Sequence, residues 1–253
     1  MKIMVCGKGG CGKSTISALL AKTYALQGKE VLVIDSDESN YGLHTQLGLE
    51  LPPEFTGYLG GKERLLGEML SATSGSSPAT FFRRQWRLSD IPAEYLSQEE
   101  HIRLLSAGKI HRAGEGCACA FGEATRQLVD HLILEPGEIA IVDMEAGIEH
   151  FGRGIDDSAD VILMVIDPSF ESLKLSRKVS EISASIGKPI YYILNKVNRG
   201  NEAYMQDMVG HEALVFYVRS EIAMAGLKGV PLSGDYPVIQ QLAEDLLNMG
   251  VSS

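Results

Sequence analysis

Six runs along this chain are apolar with little polar alternation: Ile3–Cys6, Glu30–Ile34, Ile139–Asp143, Val161–Ile166, Ile190–Leu194 and Leu214–Val218. A strand that buries one face alternates apolar and polar residues, whereas a strand covered on both faces of a parallel sheet reads as a continuous apolar run. Between these runs lie helical patterns at Ser14–Gln27, Phe121–Leu134, Phe170–Ile186 and Val238–Met249. The alternation predicts an α/β fold, a doubly wound and mainly parallel sheet with helices on both faces.

The stretch from about 52 to 116 breaks this rhythm. It contains Leu51-Pro52-Pro53, Gly60-Gly61 and the small-residue tract Ser71 to Pro78. Proline, glycine and serine clusters punctuate regular structure. The segment therefore reads as an inserted surface region with short helices, such as Glu63–Leu70, and a mobile linker, within one domain spanning residues 1–253. Arg83, Arg84 and Arg87 surround Trp86 and read as a solvated face beside a packed aromatic, or as a partner-contact patch.

At 253 residues, with 45% hydrophobic and 22% charged positions, the chain has globular composition and enough length for one large core. Its formal net charge of −10 disfavours non-specific binding to nucleic acid or to anionic lipid. Met1 to Gly7 run directly into a glycine loop, leaving no room for a leader, and the apolar run Val161–Ile166 is too short to span a bilayer. A cytoplasmic location is expected, with no membrane or nucleic-acid partner. There, four cysteines are expected as reduced thiols or metal ligands.

The segment Gly7-Lys8-Gly9-Gly10-Cys11-Gly12-Lys13-Ser14, followed by Thr15, matches the phosphate-binding P-loop pattern between a strand and a helix. Glycines let backbone N–H groups turn inward on phosphates, and the helix N-terminus adds its positive dipole end. Lys13 is placed to reach the β- and γ-phosphates, and the Ser14 hydroxyl to ligate Mg²⁺. The sequence identifies a P-loop nucleotide hydrolase. Cys6 reads as a small core hydrophobe, and Cys11, at the variable loop position, as near-surface and oxidisable.

Lysine directly after the first glycine resembles the deviant P-loop ATPases, the group of the septum-site, partition, arsenite-pump and nitrogenase iron proteins. The resemblance implies that Lys8 reaches the nucleotide of a second subunit across a homodimer. It also implies a first-switch carboxylate pair, met here by Asp35 and Asp37 at the end of the second strand. Asp37 is the candidate for positioning the attacking water, with Asp35 near the magnesium shell; Glu38 departs from the proline common at that place. Asp143-Met144-Glu145-Ala146-Gly147 resembles the second switch, with Asp143 holding magnesium through water and Gly147 sensing the γ-phosphate. Asn195-Lys196-Val197-Asn198 stands where related GTPases carry Asn-Lys-x-Asp. An amide in place of that final carboxylate is a poorer anchor for guanine, and Asn195 suits the N6 and N7 edge of adenine, so ATP is expected.

Gly116-Cys117-Ala118-Cys119 is the remaining chemical feature. Residues two apart on a strand point oppositely, so both sulfurs reach one metal only where the chain turns, and two thiolates fill half a tetrahedral shell. A twofold dimer would complete it; two buried or free thiols are the other reading. Cys-x-Cys, a following helix, and Asp143 to His150 with Arg153-Gly154 resemble the CooC-type nickel-insertion ATPases, strongly over 1–48 and 109–198. That resemblance implies one Ni²⁺ or Zn²⁺ per dimer on Cys117 and Cys119, slow partner-coupled ATP hydrolysis, and nickel delivery to carbon monoxide dehydrogenase or the related acetyl-CoA synthase. His150 reads as structural, or as a transient metal ligand. An iron-protein-type electron donor and a positioning ATPase are the alternatives. The first type holds its cluster on cysteines far apart in sequence, not on Cys-x-Cys, and the acidic Gln241–Leu247 stretch is unlike a basic membrane helix.

Overall fold

The computed structural model describes residues 1–38, 40–74, 79–110, 119–144, 158–209 and 213–250. The expected strands form as β1 (Lys2–Gly7), β2 (Glu30–Asp35), β5 (Glu138–Asp143), β6 (Val161–Ile166), β7 (Ile190–Val197) and β8 (Leu214–Tyr217). The expected helices form as α1 (Lys13–Leu26), α4 (Cys119–His131), α5 (Phe170–Ile186) and α8 (Pro237–Gly250). The short helix expected in the 52–116 stretch forms as α3 (Lys62–Ser74), and the structure adds β3 (Leu96–Glu99), β4 (Ile102–Ser106), α2 (Leu43–Leu47), α6 (Glu202–Val209) and α7 (Ser220–Lys228).

Among the described residues eight strands form one sheet in the order β3-β4-β2-β5-β1-β6-β7-β8. All neighbours pair in parallel except β3 with β4. Strand β1 lies in the middle, so Ile3 and Val5 point to one face while Met4 and Cys6 point to the other. The first face packs against Ile16, Leu20 and Tyr24 of α1 and Leu242 and Leu246 of α8. The second packs against Leu128 and Val129 of α4, Val179 of α5 and Met205 of α6. Burial on both faces explains the unbroken apolar runs, each such Val, Leu or Ile contributing roughly 1.5–3 kcal/mol. No helix among the described residues is long and apolar enough to cross a membrane.

Where the sequence suggests a surface insertion at 52–116, the described part of that stretch builds one edge of the sheet and part of its core. Strand β4 pairs with β2 from Val31↔Ile102 to Asp35↔Ser106, and Leu104 and Leu105 are buried, one on each face. The strand is short and carries Arg103, held by Glu30 at 3.1 Å, so its apolar run is too brief to announce itself. Phe55, Phe82 and Trp86 are buried around an aromatic cluster, with Phe82 and Trp86 edge-to-face at 5.5 Å. The guanidinium of Arg84 lies over the Trp86 ring at 5.5 Å, Arg87 pairs with Glu135, and Arg83 is exposed, as a solvated face requires. The helix expected at Glu63–Leu70 lies within α3, and residues 75–78 of the expected linker lie outside the described residues.

Because Trp86 is a core residue, Trp86→Ala should cost about 3–5 kcal/mol of stability, the range for truncating a buried aromatic. Urea unfolding followed by far-ultraviolet circular dichroism measures it. A cost under about 1 kcal/mol would mean that this segment packs independently of the sheet.

Candidate functional site

Open parallel sheets bind ligands beyond the carboxyl ends of their strands, where the chain order reverses. Here β1 ends at Gly7, flanked by β5 and β6, and the loop 8–12 leads into α1. Two glycines are required sterically. A Cβ on Gly7 would lie 2.4 Å from the Val165 carbonyl oxygen and 2.8 Å from Cys11 Sγ. Gly12 has φ of 104°, and a Cβ there would meet the Asn195 amide nitrogen at 2.2 Å. The loop is thus pressed onto β6 and β7 with no room for side chains at those points.

A cleft of about 460 Å³ opens above the loop, lined by Gly9, Gly10, Gly12, Lys13, Ser14, Thr15, Asp37, Asn40, Gln46 and Lys196. Lys13 is buried and its Nζ donates to the Lys8 carbonyl at 3.4 Å, a long bond that a phosphate oxygen can replace. Ser14 Oγ donates to Asp143 Oδ2 at 2.6 Å, and Ser17 Oγ to Asp143 Oδ1 at 3.1 Å. Burial pushes the Asp143 carboxyl up to about 6, against the pull of the Ser14 bond, the Lys13 charge and the Ser17 bond. A hydroxyl and a buried carboxylate side by side suit magnesium, which takes one or two protein oxygens and keeps waters and phosphates for the rest.

Asp35 is placed differently from the expectation. Its register partner across the sheet is Asp143, but its Oδ2 accepts from Lys109 Nζ at 2.7 Å in a buried ion pair. Burial pushes its carboxyl up to about 7, with the Lys109 ammonium opposing. Lys109 also donates to the Asp37 carbonyl at 2.6 Å and to the Asn40 carbonyl. Asn40 in turn donates from Nδ2 to Ser14 Oγ at 2.5 Å. Lys109, Asn40 and Ser17 are the site residues that sequence reasoning misses. A lysine three residues beyond a short strand carries no motif, and only the demand of buried Asp35 for a counter-charge points to it.

Lys8 lies beside β6, its Nζ 3.2 Å from Ser169 Oγ and 3.9 Å from Asp167. In the single chain it therefore pairs within its own subunit. Asn195 is buried and committed to the protein: Nδ2 donates to the Cys11 carbonyl at 2.8 Å, and Oδ1 accepts the Lys196 N–H at 2.9 Å. A register irregularity in β7, with Lys196 at φ of 59°, turns Asn195 under the loop and sends Lys196 Nζ to the Gly10 carbonyl at 2.5 Å. The structure thus gives Asn195 a bracing position beneath the P-loop where the sequence suggests base recognition. Cys11 is corrected: it is fully buried, and burial pushes its thiol up to about 11, which makes it unreactive rather than oxidisable. Cys6 is buried in the core as expected.

Cys117 and the second-switch residues Glu145, Ala146, Gly147 and His150 lie outside the described residues. Cys119 is the first residue of α4. Among the described residues no three or more His, Cys, Asp or Glu side chains gather where a metal ion would be held.

The titration of Asp143 fixes a sign. Its folded value stands above the ordinary one of 3.8, so its contribution favours the folded chain at acid pH and is lost as pH rises through about 6. Without nucleotide or magnesium, Asp143→Asn should raise the melting temperature at pH 8 by on the order of 2–5 °C, by roughly half as much at pH 5 and by little near pH 4. Differential scanning fluorimetry across pH measures this; a variant less stable than the parent at pH 8 would contradict the buried-charge account.

Comparison with known proteins bears on the same region. The model of the CbiA family, described as the CobQ/CobB/MinD/ParA nucleotide binding domain, matches residues 2–222. An uncharacterized ATP-binding protein of Methanocaldococcus jannaschii is 43% identical over 248 residues, 97% of this chain and 99% of its own. The carbon monoxide dehydrogenase accessory protein CooC of Rhodospirillum rubrum is 36% identical over 199 residues, 78% of this chain and 74% of its own. Among solved structures, the septum site-determining protein MinD of Pyrococcus horikoshii, complexed with Mg-ADP, superposes with a TM-score of 0.67 at 19% identity. That superposition covers 97% of this chain and 95% of the other and speaks to the fold alone. With its glycine loop, its Ser14–Asp143 pair and the matched family model, the chain belongs to the CobQ/CobB/MinD/ParA nucleotide-binding domain family.

Proposed function

We propose that this protein is a cytoplasmic, single-domain ATP hydrolase that works as a homodimer and loads nickel into a carbon monoxide dehydrogenase-type enzyme. The observation that carries the reading is the sequence Cys117-Ala118-Cys119, whose last residue opens α4, in a nucleotide-binding chain 36% identical over 199 residues to an accessory protein of that enzyme. ATP is bound by the P-loop, Lys13 and Lys196, with Ser14 and Asp143 holding Mg²⁺, whose charge offsets that of the phosphates. Asp37, on the cleft wall, orients the attacking water. Turnover is slow because the switches await a partner. The cargo, Ni²⁺ or Zn²⁺ in the isolated protein, is shared by the cysteine pairs of two subunits as four thiolates. Thiolates suit zinc at least as well as nickel, so selectivity comes from supply and from the client's site.

In the dimer Lys8 leaves Ser169 and Asp167 for the partner's nucleotide. With a non-hydrolysable ATP analogue, Mg²⁺ and metal-stripped protein, the parent should sediment as a dimer. Lys8→Ala should stay monomeric with nucleotide still bound. A variant that dimerises like the parent would exclude the cross-subunit role.

The metal role has its own test. The parent should bind one Zn²⁺ or Ni²⁺ per dimer, and joint substitution Cys117→Ala and Cys119→Ala should abolish this while nucleotide binding persists. The double variant should also fail to activate nickel-deficient carbon monoxide dehydrogenase at limiting nickel. Retained metal and retained activation together would sink the metallochaperone reading and leave a switch ATPase without cargo.

A further inference from the structure

Lys109 is buried to 1% exposure, and a lysine so placed must have its charge answered. Its three hydrogen-bond partners all belong to the end of β2 and the loop that follows it: the Asp35 carboxylate, the Asp37 carbonyl and the Asn40 carbonyl. The backbone around it is zipped to the same segment, Ala107 N–H donating to the Asp35 carbonyl at 2.9 Å and Ile110 N–H to the Glu38 carbonyl at 3.2 Å. The Tyr41 hydroxyl donates to the Ile110 carbonyl at 2.9 Å.

The far side of this assembly touches α4. Phe121 closes on Gly108, where an added Cβ would lie 3.3 Å from its ring. Ser36 Oγ lies 3.4 Å from Thr125 Oγ1, both buried. The near side touches the nucleotide site through Asn40, whose amide is on Ser14 Oγ while its carbonyl is on Lys109. A continuous set of contacts therefore runs from Ser14 through Asn40 and Lys109 to the first turns of α4, the helix that begins at Cys119.

From this geometry we infer that Lys109 is a positioning residue that relays magnesium occupancy at Ser14 to the start of α4. The inference rests on the nucleotide reading above. When magnesium takes a lone pair of Ser14 Oγ, its charge repels the Asn40 Nδ2–H donor, and residues 36–38 and 40–41 are freed to shift. Asp35, in register with Asp143, then has a second cation nearby and is held less tightly by Lys109. Both changes loosen the ammonium's three-point grip, and residues 107–110 move with it against Phe121 and Thr125. Contacts with two arrangements, each biased by occupancy, are what coupling between sites requires.

The test uses full-length protein and three variants. Lys109→Met removes the charge and keeps the aliphatic stem, Lys109→Arg keeps the charge, and Asn40→Ala cuts the relay without unpairing a buried ion. Nucleotide binding with EDTA and with titrated Mg²⁺ is read by calorimetry, and α4 is read by hydrogen exchange of the 119–131 peptide. In the parent, exchange in that peptide should change with MgATP but not with ATP and EDTA. Asn40→Ala and Lys109→Met should abolish that response and need about tenfold less Mg²⁺ for half-saturation, within the range of ordinary coupling energies. Lys109→Arg should recover at least part of the response. An unpaired Asp35 threatens the fold of Lys109→Met, so Asn40→Ala decides the matter alone if that variant is unstable. A parent that binds no MgATP would defeat the nucleotide reading. A parent that binds MgATP, with Asn40→Ala keeping both the parent's magnesium requirement and its α4 response, would overturn the relay specifically.

Discussion

Two neighbouring strands of this protein end, in register, in buried aspartates. Strands β2 and β5 place Asp35 opposite Asp143, and both carboxyls lie almost wholly out of water. Two anions cannot sit together in a low-dielectric interior without local compensation. The protein answers each differently. Asp143 receives hydroxyls from Ser14 and Ser17 on α1, which satisfies its lone pairs without cancelling its charge. Asp35 receives the ammonium of Lys109. One half of the pair is balanced from within, and the other is left as an anion beside a hydroxyl, which is a site for a cation carried in with phosphate.

That asymmetry organises the loops around it. The P-loop must come close enough for Ser14 to meet Asp143, and it does so because Gly7 and Gly12 let it lie flat on β6 and on the Asn195 amide. Asn195 and Lys196 hold the loop from outside by bonds to the carbonyls of Cys11 and Gly10. With those two carbonyls occupied by donors, less of the loop's negative dipole is left to oppose a polyanion. Lys8 sits at the edge of this arrangement against Ser169 and Asp167, partly exposed and able to exchange a modest ion pair for a phosphate.

The edge formed by β4 and β3 has a second function beyond covering β2. It delivers Lys109 to a place no residue of the P-loop or of the β2 loop could fill, directly under Asp35. The chain then continues toward Cys117 and into α4, so the counter-charge of the nucleotide site and the start of the cysteine segment are separated by only a few residues of backbone. A stretch rich in proline, glycine and serine at its beginning therefore ends as core structure.

The sequence by itself determined the sheet, because a strand covered on both faces needs an unbroken apolar run and β1, β2, β5, β6 and β7 have one. It also determined the P-loop, since glycines, Lys13 and Ser14 act at fixed spacing within a single strand-loop-helix unit, and local chemistry suffices to read it. It placed Asp35, Asp37 and Asp143 at strand tips, which is a local property too. What it did not contain was the partner of each charge. Lys109 and Ser17 reach the aspartates, and Asn40 reaches Ser14, from separate elements, Lys109 at 74 residues from Asp35, and no short-range pattern records such meetings. The commitment of Asn195 to the Cys11 carbonyl, 184 residues away, and the burial of Cys11 were likewise decided only when β7 closed under the loop. Periodicity and spacing register interactions along the chain, whereas the balance of buried charge is settled between strands that only the folded sheet brings side by side.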